Sequence, residues 1–422
     1  MKKIFILLLI CLISIPCVYG KDRWSMPNRG FEFGIETSFG FSNSFISAMD
    51  IFQDTIVIDL DELKDGFNFN MDFGLVPFSF QYNNKNKNWG FGMSVGTYFS
   101  GVFALSGELL TFAETENNKD STIGGSMFLD VNLNAYFPVR KLKIKAAPSV
   151  FLPIAYVDPV ISYSNYASEE GGHVFNLNYD VFMYTPFSMQ SVLSDSSGGS
   201  SLNYMDVLRL YGFDISFGLE FPLGDALGLT KKNKLLDFTV GLDVYNFPII
   251  PAKLNDYVRF SGQIGSEEPF NVFGDDDLFG SLFGGDDVEA DLGPEFGRSS
   301  KSVMIYRPVK AHLWADWKPF GRILTLSPIA GISVQRANIS VSDPAFEFTM
   351  EGGLKLQLDL VNIFVLSVGT GYFDNLWRNS VDIRLNFRLI EINVGVDIRA
   401  SQFAESWKGA GAGVNFGLKF GW

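Results

Sequence analysis

The sequence predicts an all-β protein: a transmembrane antiparallel β-barrel of about 14 strands, with roughly 12 to 16 allowed by the segments, and long extracellular loops. Three observations carry this. The chain ends in strict alternation, with Val414, Phe416, Leu418, Phe420 and Trp422 on one face and Asn415, Gly417, Lys419 and Gly421 on the other. The chain is 47% hydrophobic, yet after its first residues no apolar run approaches the roughly 20 residues of a membrane-spanning helix. Its hydrophobicity is instead spread at period two, as a closed sheet in lipid requires, because every backbone polar group must find a partner within the protein.

At the amino end, Lys2 and Lys3 precede the apolar run Ile4 to Ile15, and Val18 and Gly20 supply small or β-branched residues ahead of Lys21. This reads as a signal peptide over residues 1–20, with residues 21–422 forming a single barrel domain. Pro16 disfavours lipid attachment at Cys17. Cys11 and Cys17 are the only cysteines, so the mature chain would hold no disulfide, zinc thiolate or cysteine nucleophile. At the carboxyl end, Asn415, Gly417, Phe420 and Trp422 resemble the C-terminal assembly signal of bacterial outer-membrane barrels. That resemblance implies outer-membrane lipid, barrel-assembly machinery and periplasmic chaperones as partners, and the outer membrane of a diderm bacterium as the location.

The formal charge is −14, and losing the leader removes two lysines and no acid. Nucleic acid is therefore not expected as a partner, since phosphate binding needs clustered cations.

Along the chain, Met127 to Phe137 alternates, Pro138 to Lys141 turns, and Leu142 to Ile154 alternates again, giving a hairpin. Tyr211 to Phe221 and Leu236 to Val244 repeat the scheme. Further short turns fall at Pro319 to Arg322, Val361-Asn362 and Ile390-Glu391. Long connections fall at Ser188 to Asn203 and Ser261 to Ser300, and short turns are expected to face the periplasm. Ile161 to Tyr184 reads as one hairpin or two.

A barrel of this size is too wide for side chains alone to fill, so its lumen is where function is sought. Inward positions predicted to line it include Lys310, His312 and Asp316, then Glu351, Lys355 and Asp359, then Arg378, Asp382, Arg384 and Arg388, then Asp397 and Arg399. Arg384 and Arg388 are placed at a constriction beside Asp397 and Arg399, in a strand running Val381 to Leu389. Rows of opposite sign either set a transverse field or satisfy one another as cross-strand ion pairs. With His173 and His312 alone, no Ser/His constellation at a recognisable spacing points to catalysis, and neither cofactor nor metal is expected.

Residues 42–66 break the alternation and read as a plug or an excursion, with a short strand and an amphipathic helical turn over Asp54 to Gly66. Residues 261–300 read as an acidic extracellular loop carrying Asp275 to Asp277 and Asp286-Asp287, whose spacing fits no EF-hand. Gly40 to Ser44, Asp54 to Asp59 and Leu63 to Gly66 resemble an uncharacterised outer-membrane barrel family of spirochaetes and Bacteroidetes. In size and strand number the chain is loosely similar to long-chain fatty acid transporters, although their N-terminal Asn-Pro-Ala motif is absent. The expected function is passage of small solutes or hydrophobic compounds through the lumen. The alternative is a structural or adhesive role for the loops.

Overall fold

The computed structural model describes residues 29–43, 67–84, 89–105, 115–167, 173–186, 210–265, 295–321, 323–336, 346–407 and 409–422. Seventeen strand segments make a ring of 14 strand positions, all antiparallel. β1 (Phe31–Asn43), β2 (Phe67–Asn83), β3 (Gly90–Leu105), β4 (Thr115–Val139) and β5 (Leu142–Ala167) pair in chain order. On the far side, β12 (Leu324–Arg336), β13 (Phe346–Leu360), β14 (Phe364–Phe373), β15 (Leu376–Asn386), β16 (Ile390–Ala400) and β17 (Gly411–Gly421) do the same. β17 then pairs with β1 from Glu32↔Gly421 to Ser42↔Gly411 and closes the ring.

Three positions between these runs are each split in two. β6 (His173–Thr185) and β7 (Gly212–Phe221) both pair with β5, β6 with its upper half and β7 with its lower. β8 (Phe238–Ile250) passes through Pro251 into β9 (Ala252–Gly265), and β10 (Glu295–Ile305) through Tyr306-Arg307-Pro308 into β11 (Val309–Trp317). The lower segments pair β7–β8–β11, and the upper ones β6–β9–β10. Proline has no N–H for a ladder, and Pro251 and Pro308 stand at two of the breaks, although Pro148, Pro153, Pro159, Pro248 and Pro328 are carried inside strands.

Both described chain ends lie at one end of the barrel, where the Gly30 and Phe31 N–H groups donate to the Trp422 carbonyl. The tight turns at Arg140-Lys141, 318–321, 361–363 and 387–389 lie at that end, as do Asn84 and Trp89 and the connection 222–237. The last holds α1 (Leu223–Ala226), α2 (Leu229–Lys232) and a 3-10 turn, Lys234–Leu236. The opposite end carries the longer connections, together with α3 (Phe403–Ser406) and a two-residue turn at Asp374-Asn375. Both turn residues have positive φ, 51° and 62°, a conformation that suits Asp and Asn. In outer-membrane barrels the end with the short turns is the periplasmic one.

Several expectations need adjusting. Ile161 to Tyr184 is one hairpin, β5–β6. The turn expected at Ile390-Glu391 lies at 387–389, and β15 stops at Asn386. β9 and β10 carry strand structure through 261–265 and 295–300, inside the segment read as a loop. Ser42 and Asn43 belong to β1. Residues 44–66, the acidic runs within 266–294 and the Ser188 to Asn203 connection lie outside the described residues.

The outer face is an apolar belt. On β13, Phe348, Met350, Leu354, Leu356, Leu358 and Leu360 are all exposed, and at strand rise and tilt they cover about 30 Å, the thickness of a hydrocarbon core. At the terminal rim Trp422 stacks on Phe31 with ring centroids 5.6 Å apart, and Tyr82 and Trp89 meet edge on at 5.5 Å. No helix among the described residues is long and apolar enough to cross a membrane, so crossing falls to the strands. On β15, Val381 and Ile383 are exposed on the belt. Ile383→Arg is therefore expected to make insertion less favourable by about 2–4 kcal/mol. A reduced folded fraction in lipid vesicles checks it.

Candidate functional site: the barrel lumen

Residues that alternate with the belt point inward, and the structure joins most of their charges into ion pairs. Arg399 of β16 is 0% exposed. Its Nε and Nη2 donate to the Asp397 carboxylate, and Nη1 donates to Asp72 Oδ1 at 2.6 Å. Asp72 lies on β2, so the guanidinium crosses β17 and β1, the two strands that close the barrel. Between Arg399 and Asp72 those strands present Gly413 and Gly40, paired with each other. A Cβ at either position would collide with the guanidinium. The glycines make the slot in which the arginine lies.

A second group joins β11, β13 and the far turn. Glu351 accepts from Lys310 Nζ at 3.2 Å and meets His312 Nε2 at 2.6 Å, and Lys310 also bonds Asp374. The Asp374 backbone N–H donates to Glu351 at 3.2 Å, and Arg378 reaches Asp374 at 3.6 Å. His312 is flanked by the rings of Tyr245 and Phe373. This pins the β14–β15 turn to the inner wall. One turn of the strand below, Trp314 donates to Asp243 and Ser327 to Asp316, each at 2.7 Å.

The third group was not foreseen from the sequence. Arg307, in the break between β10 and β11, is buried and donates to Asp130 of β4, Ser149 of β5 and Asp214 of β7, each at 2.7 Å. Its guanidinium lies 4.8 Å from the centre of the Phe151 ring. Phe128 and Phe151 pack with Ala252 and Leu254 of β9 and Val303 and Ile305 of β10 as a buried apolar cluster. The inner faces of β4–β5 and β9–β10 therefore meet, and this side of the lumen is filled. Pro308, a strand breaker, was the only sequence signal that Arg307 is special.

At the terminal mouth, Arg29 ties the chain before β1 to the β15–β16 turn, donating to Asn386 Oδ1 at 2.7 Å, to the Arg388 carbonyl at 3.1 Å and to Glu32 at 3.1 Å. That turn is where Arg388 lies, exposed, contrary to the lumenal strand position expected for it. Alternation continues through Phe387 and Leu389 only because both are exposed apolar rim residues. Arg384 does lie on the inner face of β15, but opposite Val365 and Asn393; Asp397 and Arg399 face Ser380 and Arg378 nearer the other end. No constriction joins the four. Asn415 bonds Asp382 at 2.8 Å and Asn393 at 3.1 Å, and Gly417 sits between Glu36 and Asn393, while Phe420 and Trp422 are exposed on the belt. Among the described residues no group of three His, Cys, Asp or Glu is placed to hold a metal.

A closed antiparallel barrel, apolar outside and charged inside, defines an outer-membrane β-barrel protein. No family model and no curated protein matches the chain. Among solved structures it is similar to a mutant of the monoaromatic hydrocarbon channel TodX (11% identity, 97% of this chain and 93% of that one, TM-score 0.47). It is also similar to the monoaromatic hydrocarbon channel CymD (10% identity, 94% and 89%, TM-score 0.45). A FadL homologue of Pseudomonas aeruginosa is similar over 92% and 89% of the two chains (11% identity, TM-score 0.40).

Proposed function

We propose that the protein is a passage for small solutes through the outer membrane of a diderm bacterium. The observation that carries this reading is Lys355, which alternates with the lipid-facing Leu354 and Leu356, so its side chain points inward, and is nonetheless exposed. Water therefore reaches the inner wall on the β13–β15 side, while the apolar cluster fills the β4–β5 side. A second reading, passage of hydrophobic compounds, draws on that cluster, whose Phe128 and Phe151 offer an apolar inner surface if β9–β10 move aside. A structural or adhesive role rests on loops outside the described residues, and no lumenal feature supports it.

Purified protein in planar bilayers tests the passage. Stepwise conductance increments are expected, and a folded, inserted protein that gives none contradicts the reading. Assembly machinery and periplasmic chaperones are proposed partners through the terminal strand. Deleting Phe420 to Trp422 removes the Trp422 hydrogen bonds to Gly30 and Phe31 and is expected to abolish insertion. A heat-modifiable barrel from the truncated chain would contradict that role.

A further inference from the structure

We propose that the terminal rim holds a binding site for the phosphate headgroups of anionic phospholipids, on the arc from the β4–β5 turn past the connection 222–237 to the β11–β12 turn. The site is independent of whether the lumen conducts. The three turns are joined to one another. Lys141 Nζ of the first donates to the Ala226 carbonyl of α1 at 3.2 Å. Beside the third, Trp317 Nε1 donates to the Leu235 carbonyl at 2.8 Å and the Lys318 N–H to the Asp237 carbonyl at 2.9 Å. Segments 138–143, 220–237 and 316–321 carry seven Lys or Arg against four Asp or Glu, a net +3 in a chain of −14. The excess acid of the chain lies elsewhere.

Between the first two turns a cavity of about 190 Å³ is lined by Arg140, Lys141, Lys143 and Glu220, with Pro138 and Pro222 at its sides. Glu220, the one acid of the lining, is shared by Lys143 at 3.3 Å and Lys145 at 3.4 Å. Arg140 makes no ion pair or hydrogen bond among the described residues, and Lys141 meets a carbonyl, not a carboxylate. The lining is therefore net positive, and a phosphate supplies the acceptor oxygens and charge that its guanidinium and ammonium groups lack. What surrounds the cations points to a lipid as the source. Val139, Leu227, Leu235 and Phe320 are exposed along the same arc, and Trp317 stacks on Phe238 with ring centroids 5.9 Å apart. Apolar side chains interleaved with Lys and Arg at the edge of the belt suit a membrane–water interface with acidic headgroups, whereas a soluble anion needs no apolar border.

Quenching by brominated lipids in phosphatidylcholine vesicles tests the site. In a Cys11→Ser, Cys17→Ser background, a fluorophore is placed on Leu235→Cys within the arc or on Ile363→Cys, in a rim segment, 359–363, that carries Asp359 and no cation. Both side chains are exposed. At each position, quenching by a minor fraction of brominated phosphatidylglycerol is divided by quenching by brominated phosphatidylcholine, which removes differences in depth. The quotient is expected to be about fivefold larger at 235 than at 363, the factor for one Lys or Arg beside an acidic headgroup. Arg140→Asn with Lys141→Gln should bring the two quotients together. Asn suits the left-handed backbone at 140, where φ is 58°, so the turn is kept.

Equal quotients in the parent protein, or a difference that survives the double variant, overturn the site. A second measurement needs no variant of the cations: at about 1 M salt, where the Debye length is about 3 Å, the difference should vanish, and its persistence contradicts the site. Excess inorganic phosphate at constant ionic strength should leave the difference intact. Its loss there would assign the cavity to a soluble anion and overturn the lipid assignment.

Discussion

Replacing Arg399 by Ala is expected to destabilise the folded barrel by about 3–5 kcal/mol, the range for removing one partner of a buried ion pair. Asp397, only 8% exposed, would lose the guanidinium that donates two hydrogen bonds to it, and Asp72 would lose the link from β2 to β16. The loss falls at the seam, where β17 and β1, the last and first strands, meet through their ladder, the Lys419–Glu36 ion pair and the Trp422–Phe31 stacking, and where Arg399 spans both. Gly40→Val and Gly413→Val should be comparably damaging by a different route, since their side chains would occupy the space of the guanidinium. Urea midpoints of the vesicle-inserted protein check all three, and a loss below about 1 kcal/mol for Arg399→Ala would mean that the seam does not depend on it.

The second large effect is expected at Arg307. Arg307→Met leaves Asp130 and Asp214, each 2% exposed or less, with no cation between them, and should again lose about 3–5 kcal/mol. Combining it with Asp130→Asn and Asp214→Asn should restore most of the loss, because the buried negative charge is then gone while the packing beneath Phe151 is kept. A triple variant no more stable than the single one would place the loss in packing of the apolar cluster.

The barrel was legible because lipid and water impose alternation on each strand independently, and alternation is a local signal. The hairpin β4–β5, the turns near Gly321 and Asn362 and the terminal strand all follow from it. What alternation does not carry is where a strand stops when its rim residues are also apolar, and this misplaced Arg388. It also fails where a strand is broken and continues: Pro251 and Pro308 marked the breaks, but nothing local showed that the upper segments pack against β4–β5. Asn246, with φ of 54°, shifts the β7–β8 register, and Phe247 and Ile249 are exposed beyond it. Charges could be assigned to the inner face but not matched. Asp72 and Arg399 are 327 residues apart, and only closure of the ring brings them together.

The central claim is that the strands turn one face to lipid and the other inward, to a lumen that is wet on the β13–β15 side, and thiol accessibility along β15 tests it most directly. In the Cys11→Ser, Cys17→Ser background, single cysteines at 380, 381, 382, 383 and 384 of the vesicle-inserted protein would be exposed to a charged, membrane-impermeant thiol reagent. Reaction is predicted at Ser380, Asp382 and Arg384 and not at the belt residues Val381 and Ile383. Equal reaction at all five positions, or reaction at the odd positions alone, would contradict the account.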